Sequence, residues 1–270
     1  MAVANFKKTL WEGALLANFH SVSIADAITT KPSSVAGEKI IFNRVGAGTI
    51  KDYTGTVAWE EISTTPVEMT FTQKKYFAFS LDDVDKAQLV ADVMQDTTAE
   101  HASVLSEAVD TRVLGVAYAG AHADNKIGTV ASKIQITSVG KAYDLIVDLG
   151  TKLGKKKVPQ VNRFVAINND YLNLLQKDDR FTKNPEVLAN GIVNNAKING
   201  MTIVVTEEVG AGKVVALHKS ATGYAKQIDS MEAMRLQGAF ADGIRGLAVY
   251  DAVILRSEAI ATLIYEIALA

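Results

Sequence analysis

The stretch SLDDVDKAQLVADVMQDTTAEHASVLSEAVDTRVLGVAYAG, residues 80–120, decides the fold. It is the longest part of the chain with an unbroken helical pattern, and nothing in it breaks a helix before Gly115. Ser80 is placed to cap such a helix, its hydroxyl meeting the free N–H of Asp83. Asp82, Asp83 and Asp85 put negative charge at the positive end of the helix dipole. Apolar or small residues recur at Val84, Ala87, Ala91, Met94, Thr98, Ala102, Leu105, Val109, Val113 and Val116, in steps of three and four. Lys86, Asp92, Asp96, Glu100, Glu107 and Arg112 fall mostly on the other sides. The pattern predicts one helix roughly 55–60 Å long at 1.5 Å per residue, or two helices meeting near Asp96-Thr97-Thr98. Either way it is a spine along which other parts must lie.

Composition narrows the field. In 270 residues there are 28 Lys and Arg against 30 Asp and Glu, so no broad basic footprint for nucleic acid exists. A container for DNA need not grip it, however. The chain has no cysteine, which removes disulfides, thiolate metal sites and cysteine nucleophiles together. Residues 1–16 lack a signal-peptide core, and no run approaches eighteen apolar residues. The expectation is a soluble, intracellular protein.

Outward from the spine, residues 1–37 read as an arm. Phe6, Leu10, Ala14 and Ala17 space out a short amphipathic helix, followed by an extended, polar stretch through Ser34. Its apolar residues are too few for a core, so the arm docks either on a larger body or on its own domain. Residues 38–66 read as a charged β-hairpin loop, with strands over Lys39–Val45 and Thr56–Ile62 around a Gly46-Ala47-Gly48 turn. A lone two-stranded ribbon is marginal in water, so it needs support, and a neighbouring subunit is the candidate. Val67, Met69 and Phe71 alternate with polar residues, and Phe77 and Phe79 resume that phase. Two short strands and one long one fit equally well.

Beyond the spine and a polar loop over Gly120–Gly128, helices and strands alternate. Ala142, Leu145, Ile146, Leu149 and Leu153 form a helix face, ended by Gly154 and the dipole-complementing Lys155-Lys156-Lys157. Arg163–Ile167, Met201–Val205 and Val214–Leu217 read as strands, and Asn169 as the cap of a helix carrying Tyr171, Leu172, Leu174 and Leu175. From about Lys226 the chain returns to β character in Glu232–Leu236, Gly246–Leu255 and Ile260–Tyr265. The economical topology pairs these runs with the Val67–Phe79 region beside the spine. The fold class is therefore α+β, with an α/β domain inserted into a spine-plus-sheet domain.

Catalytic constellations are missing. His20, His101, His122 and His218 show no metal-ligand spacing, and His122 with Asp124 is a common accident of loops. Gly46-Ala47-Gly48 lacks the third glycine and the helix of a dinucleotide loop. Gly210-Ala211-Gly212-Lys213 fails as a phosphate loop, because Glu207 stands at the first glycine position and Val214 at the Ser/Thr position. The expectation is no enzyme, with no catalytic, cofactor-binding or metal-ligating residue.

The order of arm, charged ribbon, strand, long helix, inserted α/β domain and returning sheet resembles the Hong Kong 97-type major capsid proteins of tailed bacteriophages. Three local runs carry the likeness: Thr70-Phe71-Thr72-Gln73-Lys74-Lys75-Tyr76-Phe77-Ala78-Phe79-Ser80-Leu81-Asp82-Asp83; Ala216-Leu217-His218-Lys219-Ser220-Ala221-Thr222-Gly223-Tyr224-Ala225 with Met231-Glu232-Ala233-Met234-Arg235; and Gly246–Arg256. The resemblance covers most of the chain from about Glu38. It implies an N-terminal arm (1–37), an extended β-hairpin loop (38–66), a peripheral domain with the spine helix (67–132), an inserted axial domain (133–224) and a return to the peripheral sheet (225–270). It also implies hexamers and pentamers in an icosahedral head shell, formed in the host cytoplasm and carried in the virion. That shell encloses double-stranded DNA without sequence-specific binding or membrane contact, together with a portal. Since no long scaffolding segment is visible, a separate scaffolding protein is expected. Subunit-contact candidates on the ribbon are Arg44, Tyr53, Trp59, Glu60 and Glu61. Lys51 is a formal candidate for the Lys–Asn cross-link of some family members, but nothing identifies its catalyst or acceptor, and no cross-link is expected. Two other classes compete: an encapsulin-like bacterial compartment shell enclosing cargo enzymes, and a soluble α/β enzyme.

Overall fold

The computed structural model describes residues 23–32, 39–45, 64–82, 93–182, 197–238 and 240–269, with single positions 50, 52, 53, 55 and 59. In chain order the elements are α1 (Ala25–Ile28), β1 (Lys39–Val45), β2 (Thr64–Thr70), β3 (Gln73–Asp82) and α2 (Val93–Ala119). Then follow β4 (Lys126–Ile127), β5 (Ile134–Ile136), α3 (Val139–Lys155), β6 (Arg163–Ile167), α4 (Asn169–Gln176) and α5 (Asp179–Thr182). The remainder is β7 (Lys197–Ile198), β8 (Met201–Val205), β9 (Lys213–His218), β10 (Thr222–Arg235), β11 (Ala241–Ile254) and β12 (Ile260–Ile267). No helix among the described residues is long and apolar enough to cross a membrane.

The spine is α2, 27 residues and about 40 Å long. Leu105, Val109 and Val113 are buried on the face that their spacing predicts, joined by Leu114 and Ala117, while Glu107 is exposed. The predicted start at Ser80 is wrong. Ser80 and Asp82 lie in β3, which pairs with β11 as far as Asp82↔Ala241. The two-residue alternation of Phe77 and Phe79 simply continues, and ladder hydrogen bonds outweigh the local capping preference of Ser80. Asp83, Asp85, Val84, Ala87 and Ala91 lie outside the described residues. His101 joins helix to sheet, stacked on Phe79 at 5.0 Å and Phe77 at 5.6 Å between ring centroids.

The strands form three sheets: the ribbon β1–β2, a three-stranded sheet β10–β11–β3, and a mixed sheet in the order β4-β12-β9-β6-β8-β7 with β5 also paired to β12. The chain therefore breaks between Thr70 and Gln73, and Val67–Phe79 makes two strands in two sheets. As expected, the returning chain pairs beside Phe77 and Phe79, through β11, with Phe79↔Ile244 and Phe77↔Gly246.

The last strand departs from expectation. Ile260–Ile267 lies in the α/β sheet, antiparallel to β9 with Ile260↔Leu217 and Thr262↔Val215, so residues 225–270 divide between two sheets. Four successive residues, Ile260 to Leu263, are buried, which suits a strand covered on both faces rather than one with a wet side.

Within the α/β part, Ala142, Leu145, Ile146, Leu149 and Leu153 are buried as predicted. The cap of α4 is Asn168, one residue before the expected Asn169. Its Oδ1 accepts from Tyr171 N at 3.0 Å and from the Tyr265 hydroxyl at 2.8 Å. Gly210 and Gly212 both take left-handed φ, 80° and 68°, in the tight turn before β9. The Gly46-Ala47-Gly48 turn and the Phe6–Ala17 helix lie outside the described residues.

The described part of the arm docks on its own spine. Ala25 and Ile28 are buried in the main core, and Thr30 bridges to Gly223 beside β10.

Leu105→Ala is expected to lower stability by about 2–5 kcal/mol in urea unfolding. Val109→Asp should unfold or aggregate the subunit, since a buried, unpaired carboxylate is heavily penalised. Glu107→Gln should stay within about 0.5 kcal/mol of wild type. A Val109→Asp protein melting like wild type would show that the helix face is misassigned.

Candidate subunit-contact site

The ribbon's two strands pair in the register Ile40↔Met69, Phe42↔Val67 and Arg44↔Thr65. Opposed residues share a face, so Ile40, Phe42, Val67 and Met69 all point one way. That face sits on the ribbon's own subunit. Ile40, Met69 and Phe71 are buried together with Ala225 and Val249, and Phe42, Leu247 and Val253 close the cluster. The Phe42 ring lies over Gly223, where a Cβ would come within 2.8 Å of it. The expectation that the ribbon lacks support from its own chain is thus corrected for its base. Lys39–Val45 takes Thr64–Thr70 as its partner, which seats Met69 and Phe71 on the body; the expected strand Thr56–Ile62 lies, apart from Trp59, outside the described residues.

Of the predicted contact residues, Arg44 stands at this base, and its Nη1 donates to the Leu255 carbonyl of its own subunit at 3.3 Å. Tyr53 and Trp59 belong to the far end of the ribbon and are 77% and 92% exposed; Ile50 is fully exposed. Glu60, Glu61 and Lys51 lie outside the described residues. On the ribbon's outer face Lys39 pairs with Glu68 at 3.5 Å, an exposed ion pair that contributes little.

Two polar groups escaped the sequence reading. Asp251, 3% exposed on β11, takes the N–H and hydroxyl of Thr72 on Oδ2, at 3.0 and 2.5 Å. Its Oδ1 takes Arg112 Nε at 3.0 Å and Ala252 N at 2.8 Å. Burial pushes this carboxyl's pKa up, but the donors from Thr72, Ala252 and Arg112 outweigh burial and hold it below the ordinary aspartate value. Asp110 on the spine accepts from Ser23 Oγ at 2.7 Å, Ala25 N at 3.0 Å and Ile24 N at 3.2 Å, pinning the arm. Here burial prevails, and the pKa is raised despite those donors, with Glu208 adding repulsion. The available signal was a lone carboxylate within an apolar pattern: Asp251 inside Gly246–Leu255, and Asp110 beside Val109.

The remaining polar clusters are structural. His122 Nδ1 accepts from Asp124 N at 3.3 Å, capping a short turn. Asp124 is held low in pKa by the Lys156 ammonium at 2.7 Å, and Lys152 donates to the Asp124 carbonyl at 2.7 Å. Among the described residues no three His, Cys, Asp or Glu side chains gather as a metal site.

A family model described as phage capsid protein matches residues 66–263. The chain belongs to that family. Among solved structures, one from Mycobacterium phage Che8 superposes with a TM-score of 0.70 at 26% identity, covering 89% of this chain and 90% of that one. The capsid of cyanophage P-SCSP1u gives 0.68 at 17% identity, covering 92% and 89%. A virus-like particle from Pyrococcus furiosus gives 0.59 at 13% identity, covering 93% and 96%. No curated protein sequence matches. This capsid protein has the Hong Kong 97-type fold and is a structural major capsid protein of a tailed phage, which assembles with copies of itself into the virion's capsid. Family and fold point to a structural rather than an enzymatic role. The compartment-shell alternative has less support, because the family model that matches is one of phage capsid proteins.

Asp251 should give the capsid protein an acid-sensitive component of stability. Its folded-state pKa lies below the unfolded value near 3.8. The stabilisation is therefore present above that value and is lost as pH falls through the folded pKa. Asp251→Asn should cost roughly 1–3 kcal/mol at pH 7 and flatten the decline of melting temperature between pH 5 and 2. An unchanged acid limb in the variant would refute this assignment.

Proposed function

We propose that this capsid protein builds an icosahedral head from hexamers and pentamers, and that the far end of its ribbon docks on an adjacent copy. The supporting observation is the exposure of Ile50, Tyr53 and Trp59 at the end of a ribbon whose base is already satisfied by its own body. Aromatic residues in such a position are expected at the centre of an interface, with Glu60 and Glu61 supplying a charged rim. Contacts of this kind are head-to-tail, and they close into rings only when the rotation permits. Each subunit buries more than about 2,000 Å² against neighbours, the range of obligate assemblies.

In this reading residues 133–224 supply the part that meets around five- and six-fold axes, and the ribbon and peripheral domain tie neighbours together. The shell forms in the host cytoplasm around a scaffolding protein and a portal, and then encloses double-stranded DNA. The near-balanced charge, −2 overall, suits enclosure without sequence-specific grip. No cofactor takes part.

Purified protein, supplied with scaffolding protein, should form closed shells or ring-like capsomers in electron microscopy. A chain that stays monomeric at high concentration under those conditions would sink the proposal. Peptides carrying Ile50, Tyr53 and Trp59 should gain hydrogen-exchange protection on assembly, and Trp59→Ala should reduce assembly yield about tenfold or more. Equal protection in free subunit and shell would reject docking in trans. So would a Glu60→Lys, Glu61→Lys double variant that assembles with normal yield and salt tolerance.

A further inference from the structure

The joint between ribbon and body is only two residues long, Phe71 and Thr72, between β2 and β3. The last pair of the ladder between β3 and β11 is Gln73↔Tyr250. One step further, where the chain turns away into the ribbon, β11 presents Asp251. Its carboxylate takes the backbone N–H and the hydroxyl of Thr72, so a side chain stands in for the ladder partner that the turn removes. The other carboxylate oxygen takes Arg112 from the spine helix. One buried group thus joins the root of the ribbon, the three-stranded sheet and the spine.

We propose that Thr72, Asp251 and Arg112 form a positioning lock that fixes the direction in which the ribbon leaves the body and couples it to the spine helix. Two residues are enough to act as a hinge when nothing restrains their backbone angles. From Thr70 to Thr64 the described ladder runs about 20 Å at about 3.3 Å per residue, so a rotation of about 15° at the joint moves its Thr64 end by about 5 Å. That displacement exceeds the tolerance of a packed interface. Because head-to-tail contacts multiply a small angular error around a ring, the lock sets whether copies close into shells of one size. Apolar packing by Phe71 and Phe42 holds the ribbon down but is non-directional, and the exposed Arg44–Leu255 bond at 3.3 Å lies away from the joint. The carboxylate with its four donors supplies the direction. Thr72 and Arg112 are positioning residues, acting on the neighbouring copy only through the ribbon they aim.

This inference rests on the reading that the ribbon docks on a neighbour, and the experiment separates the two. Thr72→Val keeps the side-chain volume and the N–H bond but removes the hydroxyl donor, Arg112→Gln removes the spine's contribution, and Thr72→Ser restores the hydroxyl. The free subunits of all three should melt within a few degrees of wild type. In Thr72→Val and Arg112→Gln, amide exchange at residues 64–72 should be about tenfold faster, and assembly should give shells of mixed diameter and open forms. Thr72→Ser should return both measurements to wild type, which a merely structural loss of stability would not require. Unchanged exchange in Thr72→Val and Arg112→Gln would overturn the lock. If exchange accelerates while both variants and Trp59→Ala still give shells of wild-type diameter, the lock stands and docking in trans fails. If Thr72→Val does not fold, Arg112→Gln decides alone, since Arg112 is partly exposed and its loss leaves the ribbon's apolar seat untouched.

Discussion

The constraint on which the structure depends is the apolar seam along the second half of the spine helix. Leu105, Val109, Val113, Leu114 and Ala117 bury one continuous stripe, and both the three-stranded sheet and the α/β sheet lie against it. Neither sheet can cover its inner face alone, and a helix of this length cannot hide its stripe by itself. The helix therefore sets where two otherwise separate layers stand. Burial of five aliphatic side chains contributes on the order of 1.5–3 kcal/mol for each of the larger ones, comparable in sum to the net stability of a domain.

Directional control comes from a second set of residues on the same helix. Asp110 receives three donors from residues 23–25, and Arg112 reaches the carboxylate that receives Thr72. Buried carboxylates are costly unless saturated with donors, and both of these are. Their opposite pKa shifts show how differently the balance can fall. Asp251, with four donors including a guanidinium, has its pKa lowered, whereas Asp110, with neutral donors and Glu208 nearby, has its pKa raised by burial.

Much of this was legible in the sequence because burial imposes periodicity. The buried face of α3 and the strands Arg163–Ile167 and Met201–Val205 follow from spacing and β-branched content alone. The spine's beginning was not legible, since Ser80-Leu81-Asp82-Asp83 satisfies both a helix cap and the continuation of an alternating strand. Only the distant partner Ala241–Ile254 decides between them. The partner of Lys39–Val45 was not legible for a related reason: Thr64–Thr70 is chosen by the register that seats Met69 on Ala225 and Val249. Pairing depends on partners far away in sequence, as do the roles of Thr72, Asp251 and Arg112. Exposure of Trp59 is likewise a property of the folded chain and not of its local pattern.

The position of β12 bears on synthesis. It lies between β9 on one side and β4 and β5 on the other, so β9 keeps an open edge until Ile260–Ile267 has left the ribosome. Such an edge is a template for pairing with any extended chain nearby, which in a cell making many copies means another nascent subunit. Strands joined across this much sequence also close slowly. A partly made subunit is therefore most at risk of wrong association just before it becomes able to associate correctly. The demand for chaperones should fall on this interval rather than on the earlier helices.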